Sequence, residues 1–97
     1  MRLVFSPRAV SDLEAIGDFI ARDSQPAAQR FVAELRRRCA TIVDAPRGGA
    51  PRPELGDAMR AVPFGSYMIF YDVDRDIVTI QRVLHAARDI PEAFEAE

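Results

Sequence analysis

Residues 67–89, YMIFYDVDRDIVTIQRVLHAARD, constrain the fold more than any other part of this 97-residue chain. Aromatic and β-branched residues dominate two runs within this stretch, and such residues favour β-strands. The polar sequence Asp74-Arg75-Asp76 separates the two runs. We therefore predict a β-hairpin whose second strand spans residues 77–84 and ends at a charged cluster, residues 85–89.

The first half of the chain predicts two helices. Ser6-Pro7 is typical of a helix start, because serine caps free N–H groups and proline suits the first helical position. Apolar residues recur at helical spacing through residues 7–22 and again through residues 26–44. The link between them, with Ser24 as the expected N-cap, is so short that the helices must be antiparallel. Cys39 lies on the apolar stripe of the second helix, which indicates a core residue rather than a nucleophile.

The remaining segments complete the predicted order of elements. Residues 2–5 and 58–63 read as strands, residues 64–66 as a turn, and residues 45–56 as a connector rich in proline and glycine. The order β-α-α-β-β-β predicts an α+β fold, with a helical hairpin packed on a mainly antiparallel, twisted sheet. The length predicts one domain, residues 1–97.

Composition excludes several classes of function. The net charge of −2 argues against general or sequence-specific binding of nucleic acid. All 13 basic residues are arginine, which excludes a lysine base or Schiff base. One histidine and one cysteine form no ligand cluster, so we expect neither a metal nor a cofactor. The single cysteine, and the absence of a long apolar run, predict a cytoplasmic protein without a membrane segment.

The predicted hairpin carries apolar residues on both faces. Strand alternation assigns Val78, Ile80, Arg82 and Leu84 to one face of the second strand, and Ile77, Thr79, Gln81, Val83 and His85 to the other. A helical hairpin covers only one face of a sheet. Residues 91–97 are short and acidic, and we do not expect them to cover the second face. This pattern predicts an exposed apolar surface for a protein partner.

Four segments carry a resemblance to a known family: FSPRAVSDLEAIGDFIARDSQPAA, GGAPRPEL, MRAVPFGSYMIFY and RVLHAARDI. In this order they resemble the ParE branch of the RelE/ParE superfamily of bacterial type II toxins, although Ala86 stands where the family commonly has glycine. The resemblance implies a toxin that inhibits DNA gyrase by binding and stabilises plasmids. It also implies a hetero-oligomeric complex with a neutralising ParD-like antitoxin.

Two other functions remain open at this point. RelE-like relatives are ribosome-dependent mRNA endonucleases, and here His85 would be the acid or base while Arg60, Arg82 and Arg88 bind phosphate. The acidic composition argues against that function. A third possibility is a non-toxic member that only binds its antitoxin and regulates its operon. We favour the gyrase-binding protein, which is not an enzyme.

Seven residues are expected at the surface that binds the antitoxin or the target: Arg60, Tyr67, Tyr71, Arg82, His85, Arg88 and Asp89. The arginines are candidates because a guanidinium binds a carboxylate bidentately. We expect Arg60 to pair with the partner, and Arg82 to pair with an internal carboxylate such as Asp72. His85 is expected to form a hydrogen bond at the strand end.

Overall fold

A helical hairpin packs on a five-stranded sheet in the computed structural model, which describes residues 1–95. The elements are β1 Arg2–Phe5, α1 Pro7–Ala21, α2 Gln25–Ile42, β2 Ala50–Pro51, β3 Arg60–Phe64, β4 Tyr67–Asp74, β5 Ile77–His85 and α3 Ile90–Glu95. The strands lie in the order β1-β5-β4-β3-β2, and only β1 and β5 are parallel. The predicted α+β fold is confirmed, while β2 and α3 were not foreseen.

Serine caps begin both long helices. The Oγ of Ser6 accepts a hydrogen bond from the N–H of Ala9 at 3.0 Å. The Oγ of Ser24 accepts one from Ala27 at 3.2 Å. Each bond satisfies an N–H group that has no partner within the helix. The helix starts are therefore correct to within one residue, whereas α2 ends two residues before the predicted position.

The strand predicted at residues 58–63 begins later than expected. Ala58 and Met59 belong to a turn in which the Met59 N–H donates to the carbonyl of Gly56 at 3.0 Å. The strand therefore starts at Arg60 and runs to Phe64. The turn uses the N–H of Met59, which is therefore not available for pairing between strands.

The main core lies between the helical hairpin and one face of the sheet. Its fully buried members include Leu35 and Cys39 from α2, Ile69 from β4, and Val78 and Ile80 from β5. Burial raises the pKa of the Cys39 thiol to about 11. The prediction that Cys39 is a core residue is confirmed, because the neutral thiol is enclosed by apolar side chains.

A second core lies on the opposite face of the sheet, under α3. Ile90 and Ala93 of α3 are buried against Phe70 and Leu84. The ring of Phe94 meets that of Phe70 edge to face, with centroids 5.1 Å apart. The expectation that the C-terminal segment leaves this face uncovered is therefore wrong for the described residues 90–95. One side of α3 is apolar even though its sequence is acidic.

A β-bulge at Gln81 divides β5 into two registers. Tyr71 pairs with Ile80, while its neighbour Phe70 pairs with Arg82, so Gln81 has no partner in β4. The extra residue reverses the alternation of side chains. Val83 therefore joins Val78 in the main core, and Leu84 joins the second core. The predicted grouping of Arg82 and Leu84 with Val78 and Ile80 is wrong for this reason.

None of the helices among residues 1–95 is both long enough and apolar enough to cross a membrane.

Candidate protein-binding site

A groove of about 350 Å³ lies between α1 and the C-terminal end of β5. We call it the β5 groove. It brings together one face of α1, the first residue of β4, the last three residues of β5 and Arg88, which follows that strand. Its lining consists of Asp12, Ala15, Ile16, Phe19, Tyr67, Val83, Leu84, His85 and Arg88. The predicted residues Tyr67, His85 and Arg88 thus share one surface.

Sheet register places Tyr67 and His85 side by side. The two residues are direct partners in the β4–β5 ladder, and their ring centroids are 5.3 Å apart in an edge-to-face arrangement. On its other side, Tyr67 packs against Phe31 of α2 at 5.6 Å. This contact connects the wall of the groove to the main core, so the Tyr67 ring is held in place before any partner binds.

His85 is exposed and has a defined hydrogen bond. Its Nδ1 accepts the N–H of Ala87 at 3.1 Å. In the neutral ring the proton therefore resides on Nε2, which can donate to a partner. A second hydrogen bond, from the Arg88 N–H to the His85 carbonyl at 3.0 Å, closes the turn that follows β5.

Phe19 is the residue of this groove that sequence reasoning missed. It lies on α1 and is 62% exposed, the largest exposed fraction among the large hydrophobic side chains described. The guanidinium of Arg22 lies 5.8 Å from the centre of its ring. A signal was present in the sequence, because Phe19 is an aromatic residue outside the apolar stripe of its helix. Large apolar side chains exposed beside a groove are typical of interaction surfaces.

Asp89 follows the groove but has a structural contact of its own. Its carboxylate accepts the N–H of Glu92 at 3.1 Å, and its carbonyl accepts the N–H of Ala93 at 3.0 Å. These bonds make Asp89 the cap of α3. A contact between Asp89 and a partner, as predicted, would have to share the carboxylate that caps α3.

Arg82 is inside the protein. Its Nε and Nη2 donate to the two carboxylate oxygens of Asp12 at 2.8 and 2.9 Å, and its Nη1 donates to the carbonyl of Ala93 at 2.9 Å. Only 8% of the residue is exposed. Arg82 thus has an internal carboxylate partner, as expected, and its inclusion among the residues that face a partner is corrected, because its hydrogen bonds are made within the chain.

The internal partner of Arg82 also differs from the expected one. Asp72 accepts the side-chain amide of Gln81 at 3.1 Å instead. Asp12 takes its place because the bulge turns Arg82 to the other face and the end of β1 leaves the edge of β5 open. There the Asp12 carboxylate also accepts the N–H of Val83 at 2.9 Å.

Tyr71 is also internal, and the prediction that it contacts a partner is corrected. Its side chain is fully buried. The hydroxyl donates to the carbonyl of Pro46 at 2.8 Å and accepts the N–H of Gly49 at 3.0 Å. A Cβ on Gly49 would lie 2.5 Å from that hydroxyl, so only glycine allows the close approach. Tyr71 fastens the connector before β2 to the main core.

Arg60 lies away from the β5 groove. It pairs with Tyr71 in the β3–β4 ladder, whereas Phe64 pairs with Tyr67, the partner of His85. The offset along the strand is four residues, roughly 13 Å at the usual rise. The Nη1 of Arg60 donates to the carbonyl of Gly49 at 2.7 Å and of Arg47 at 3.1 Å. The structure does not bring Arg60 and His85 together.

Metal coordination has no candidate site in the described part of the chain. No group of three or more histidine, cysteine, aspartate or glutamate side chains among residues 1–95 is arranged to hold an ion.

Comparison with known proteins agrees with the architecture and with the resemblance seen in the sequence. The family described as "ParE toxin of type II toxin-antitoxin system, parDE" matches residues 3–90. The chain therefore belongs to the ParE toxin family of type II toxin–antitoxin systems.

Two relatives add detail to this assignment. The chain is 34% identical over 87 residues to Toxin RelE2 of Caulobacter vibrioides, a match that covers 90% of this chain and 97% of the relative. A structure titled "Chromosomal ParDE TA system from P. aeruginosa" superimposes with a TM-score of 0.76. That match covers 88% of this chain and 95% of the other at 22% identity, and it shows a common fold.

Proposed function

We propose that this chain inhibits DNA gyrase by binding to it. In this proposal a ParD-like antitoxin neutralises the chain by forming a hetero-oligomer with it. Membership of the ParE toxin family supports a toxin of this type. One observation favours a binding protein over a nuclease. His85 lies apart from two of the three arginines that RNA cleavage would need.

RNA cleavage by this fold requires an acid, a base and cations that contact one phosphate. Of the three arginines considered for that role, Arg88 alone lines the β5 groove with His85. Arg82 directs its guanidinium to Asp12 and Ala93. Arg60 lies four residues along β3 from Phe64, the residue that is level with Tyr67 and His85 in the sheet. The expected catalytic set is therefore dispersed.

The composition of the β5 groove suits a protein target. Phe19 and Tyr67 provide aromatic surface, and His85 and Arg88 provide donors at its edge. Aromatic residues and arginine are enriched at the centres of protein interfaces. We assign target binding to this groove and antitoxin binding to a surface that includes Arg60. Tyr67, His85 and Arg88 keep their predicted role as binding residues.

A second candidate function is a ribosome-dependent mRNA endonuclease. The observation that favours it is the similarity to Toxin RelE2, together with the position of His85 beside Arg88. In this case His85 would be the acid or base and Arg88 would bind phosphate. The net charge of −2 weakens this candidate, because an approaching RNA is also negatively charged.

Expression of the chain alone in bacteria distinguishes these functions. Growth, covalent gyrase–DNA complexes and transcript ends are measured in the same cultures, and purified gyrase is assayed with the purified chain. Trapped gyrase–DNA complexes with induction of the SOS response support the proposal. Cuts phased with codons support the endonuclease. Normal growth supports a member that binds its antitoxin without being toxic.

We further propose that residues 1–97 form one domain that acts in the cytoplasm and contributes to plasmid stabilisation. The support for one domain is that both cores share the same sheet, so neither half could bury its apolar surface alone. The cytoplasm is where gyrase acts.

A further inference from the structure

A second cavity, of about 420 Å³, lies at the end of β4 opposite the β5 groove. Three arginines from separate segments converge on it: Arg47 from the connector, Arg60 from β3 and Arg75 from the β4–β5 turn. The remaining lining residues are Met1, Pro46, Ala58 and Val73. We call this cavity the arginine pocket.

The lining of the arginine pocket holds three cationic side chains and no anionic one. The Nη1 of Arg60 is oriented by the carbonyls of Gly49 and Arg47, which leaves its Nε and Nη2 unbonded within residues 1–95. The guanidinium groups of Arg47 and Arg75 likewise have no hydrogen-bond or ion-pair partner among those residues. Three like charges repel one another, and an anion in the pocket would relieve that repulsion.

The backbone at Arg75 adds a second, independent observation. Its φ is 58°, in the left-handed region that favours glycine, asparagine or aspartate. The side chain is exposed and packs into neither core. Folding therefore gains little from arginine at a position that is unfavourable for its backbone. A role for its charge explains why an arginine occupies this turn.

We propose that the arginine pocket binds carboxylate side chains from an acidic segment of a protein partner. A guanidinium matches a carboxylate in shape and donates two parallel hydrogen bonds to it. The pocket is large enough for a few side chains and too small for a folded element. The inference rests on the proposed function in one respect, namely that the chain acts through protein partners. It does not depend on gyrase.

A protein segment fits this site better than a nucleic acid. Asp74 and Asp76 flank Arg75 in the chain, and Asp57 precedes Ala58. These carboxylates lie next to lining residues without lining the cavity. They would repel an extended phosphate backbone, while one or two carboxylates could still enter between the arginines.

Fluorescence anisotropy of a dye-labelled hexaglutamate peptide with the full chain tests the proposal. A hexaglutamine peptide and a single-stranded RNA hexamer are the comparison probes. We expect hexaglutamate to bind, to bind more tightly than either comparison probe, and to weaken as salt rises because the charges are screened. Arg47→Gln and Arg75→Asn should each weaken the binding by about tenfold.

Arg37→Gln is the matched control, since Arg37 is an exposed arginine of α2 away from the pocket. It removes the same charge and should change hexaglutamate binding by less than about twofold. Equal losses in Arg37→Gln and Arg75→Asn would show that only net charge matters and would overturn the proposal. Preference for the RNA hexamer, or no detectable binding of hexaglutamate, would also overturn it.

Arg75→Gly separates a binding role from a structural role. Glycine relieves the left-handed backbone conformation while removing the charge. The midpoint of urea unfolding should therefore stay the same or rise, and hexaglutamate binding should fall. A lower midpoint with unchanged binding would overturn the proposal. Because gyrase is absent from these measurements, a negative gyrase assay would contradict the proposed target and leave the arginine pocket unaffected.

Discussion

Arg82 and Asp12 form a two-pronged ion pair that joins the last strand to the first helix across 70 residues of sequence. The Asp12 side chain is 12% exposed and that of Arg82 is 10% exposed. Arg82 also reaches the Ala93 carbonyl, and Arg8 donates to the carbonyls of Ala93 and Phe94. Two arginines thus hold α3 over the second core. The same carboxylate, Asp12, lines the β5 groove.

The first prediction concerns this ion pair. Asp12→Ala leaves the Arg82 charge without its carboxylate and the Val83 N–H without an acceptor. The free energy of unfolding should fall by about 3–5 kcal/mol, as for other buried pairs that lose one member. Urea denaturation measures the change. Asp18→Ala, at an exposed position of the same helix, is the control and should have little effect. Similar losses in both variants would contradict a special role for the pair.

The second prediction uses the two tyrosines as a matched pair. Tyr71→Phe removes a hydroxyl that has both a donor and an acceptor partner in the connector. The free energy of unfolding should decrease by about 1–3 kcal/mol. Tyr67→Phe removes a hydroxyl that has no hydrogen bond within residues 1–95 and should change stability by less than about 0.5 kcal/mol. A larger effect at Tyr67 would contradict this assignment.

The third prediction concerns Cys39 and alkaline pH. Burial raises its pKa from 9.0 to about 11, so the folded protein holds the thiol proton more tightly than the unfolded chain does. The stability from this group is complete below pH 9 and is lost as pH rises toward 11, by up to about 3 kcal/mol.

Denaturation of the native chain and of Cys39→Ala across that pH range isolates the Cys39 contribution. The variant should be less stable throughout because it creates a cavity, and the difference between the two proteins should narrow at high pH. A constant difference would contradict the predicted linkage. Thiol reagents should react with Cys39 only after unfolding.

The fourth prediction tests the β5 groove as the target surface. Phe19→Ala removes exposed aromatic area, so stability should be nearly unchanged while inhibition of gyrase weakens by about 10- to 30-fold. Supercoiling assays with purified gyrase measure this loss. Val10→Ala is the control, because Val10 is also exposed on α1 but does not line the groove. Full inhibition by Phe19→Ala would exclude the groove.

The fifth prediction distinguishes binding from catalysis at His85. Glutamine can still accept and donate hydrogen bonds, but its side chain cannot act as a general acid or a general base. His85→Gln should therefore keep most of the growth inhibition of the native chain. In an endonuclease the same change should reduce cleavage by about 10²–10⁴-fold. Antitoxin binding and circular dichroism verify that the variant is folded. A folded His85→Gln that has lost its toxicity would favour catalysis.

Local signals in the sequence were sufficient for most of the fold. Ser6 and Ser24 marked the helix starts, and the aromatic and β-branched residues around Tyr67 marked the hairpin. The family resemblance extended this to the class of toxin. These signals act within a few residues of the chain, and the corresponding elements were placed nearly correctly.

Long-range relationships were not predictable in the same way. The partnership of Arg82 with Asp12 depends on where β1 stops beside β5, which no local pattern reports. The burial of Tyr71 was not predicted, because its hydroxyl accepts the N–H of Gly49, which lies in the connector and is 22 residues away in the sequence. The arginine pocket has no local signal in the sequence, since Arg47, Arg60 and Arg75 lie in three separate segments.

The bulge at Gln81 has a consequence for how relatives of this protein are aligned and mutated. Removing that residue would restore regular pairing along β5 and leave Arg82, Val83 and Leu84 on the faces they occupy now, because Arg82 would follow Ile80 directly and side chains alternate along a strand. A homologue with one residue fewer here should therefore show unbroken alternation of apolar residues through the whole strand. In an alignment the gap belongs opposite Gln81, since placing it elsewhere in β5 would put a core residue of one protein opposite a residue on the other face of its relative.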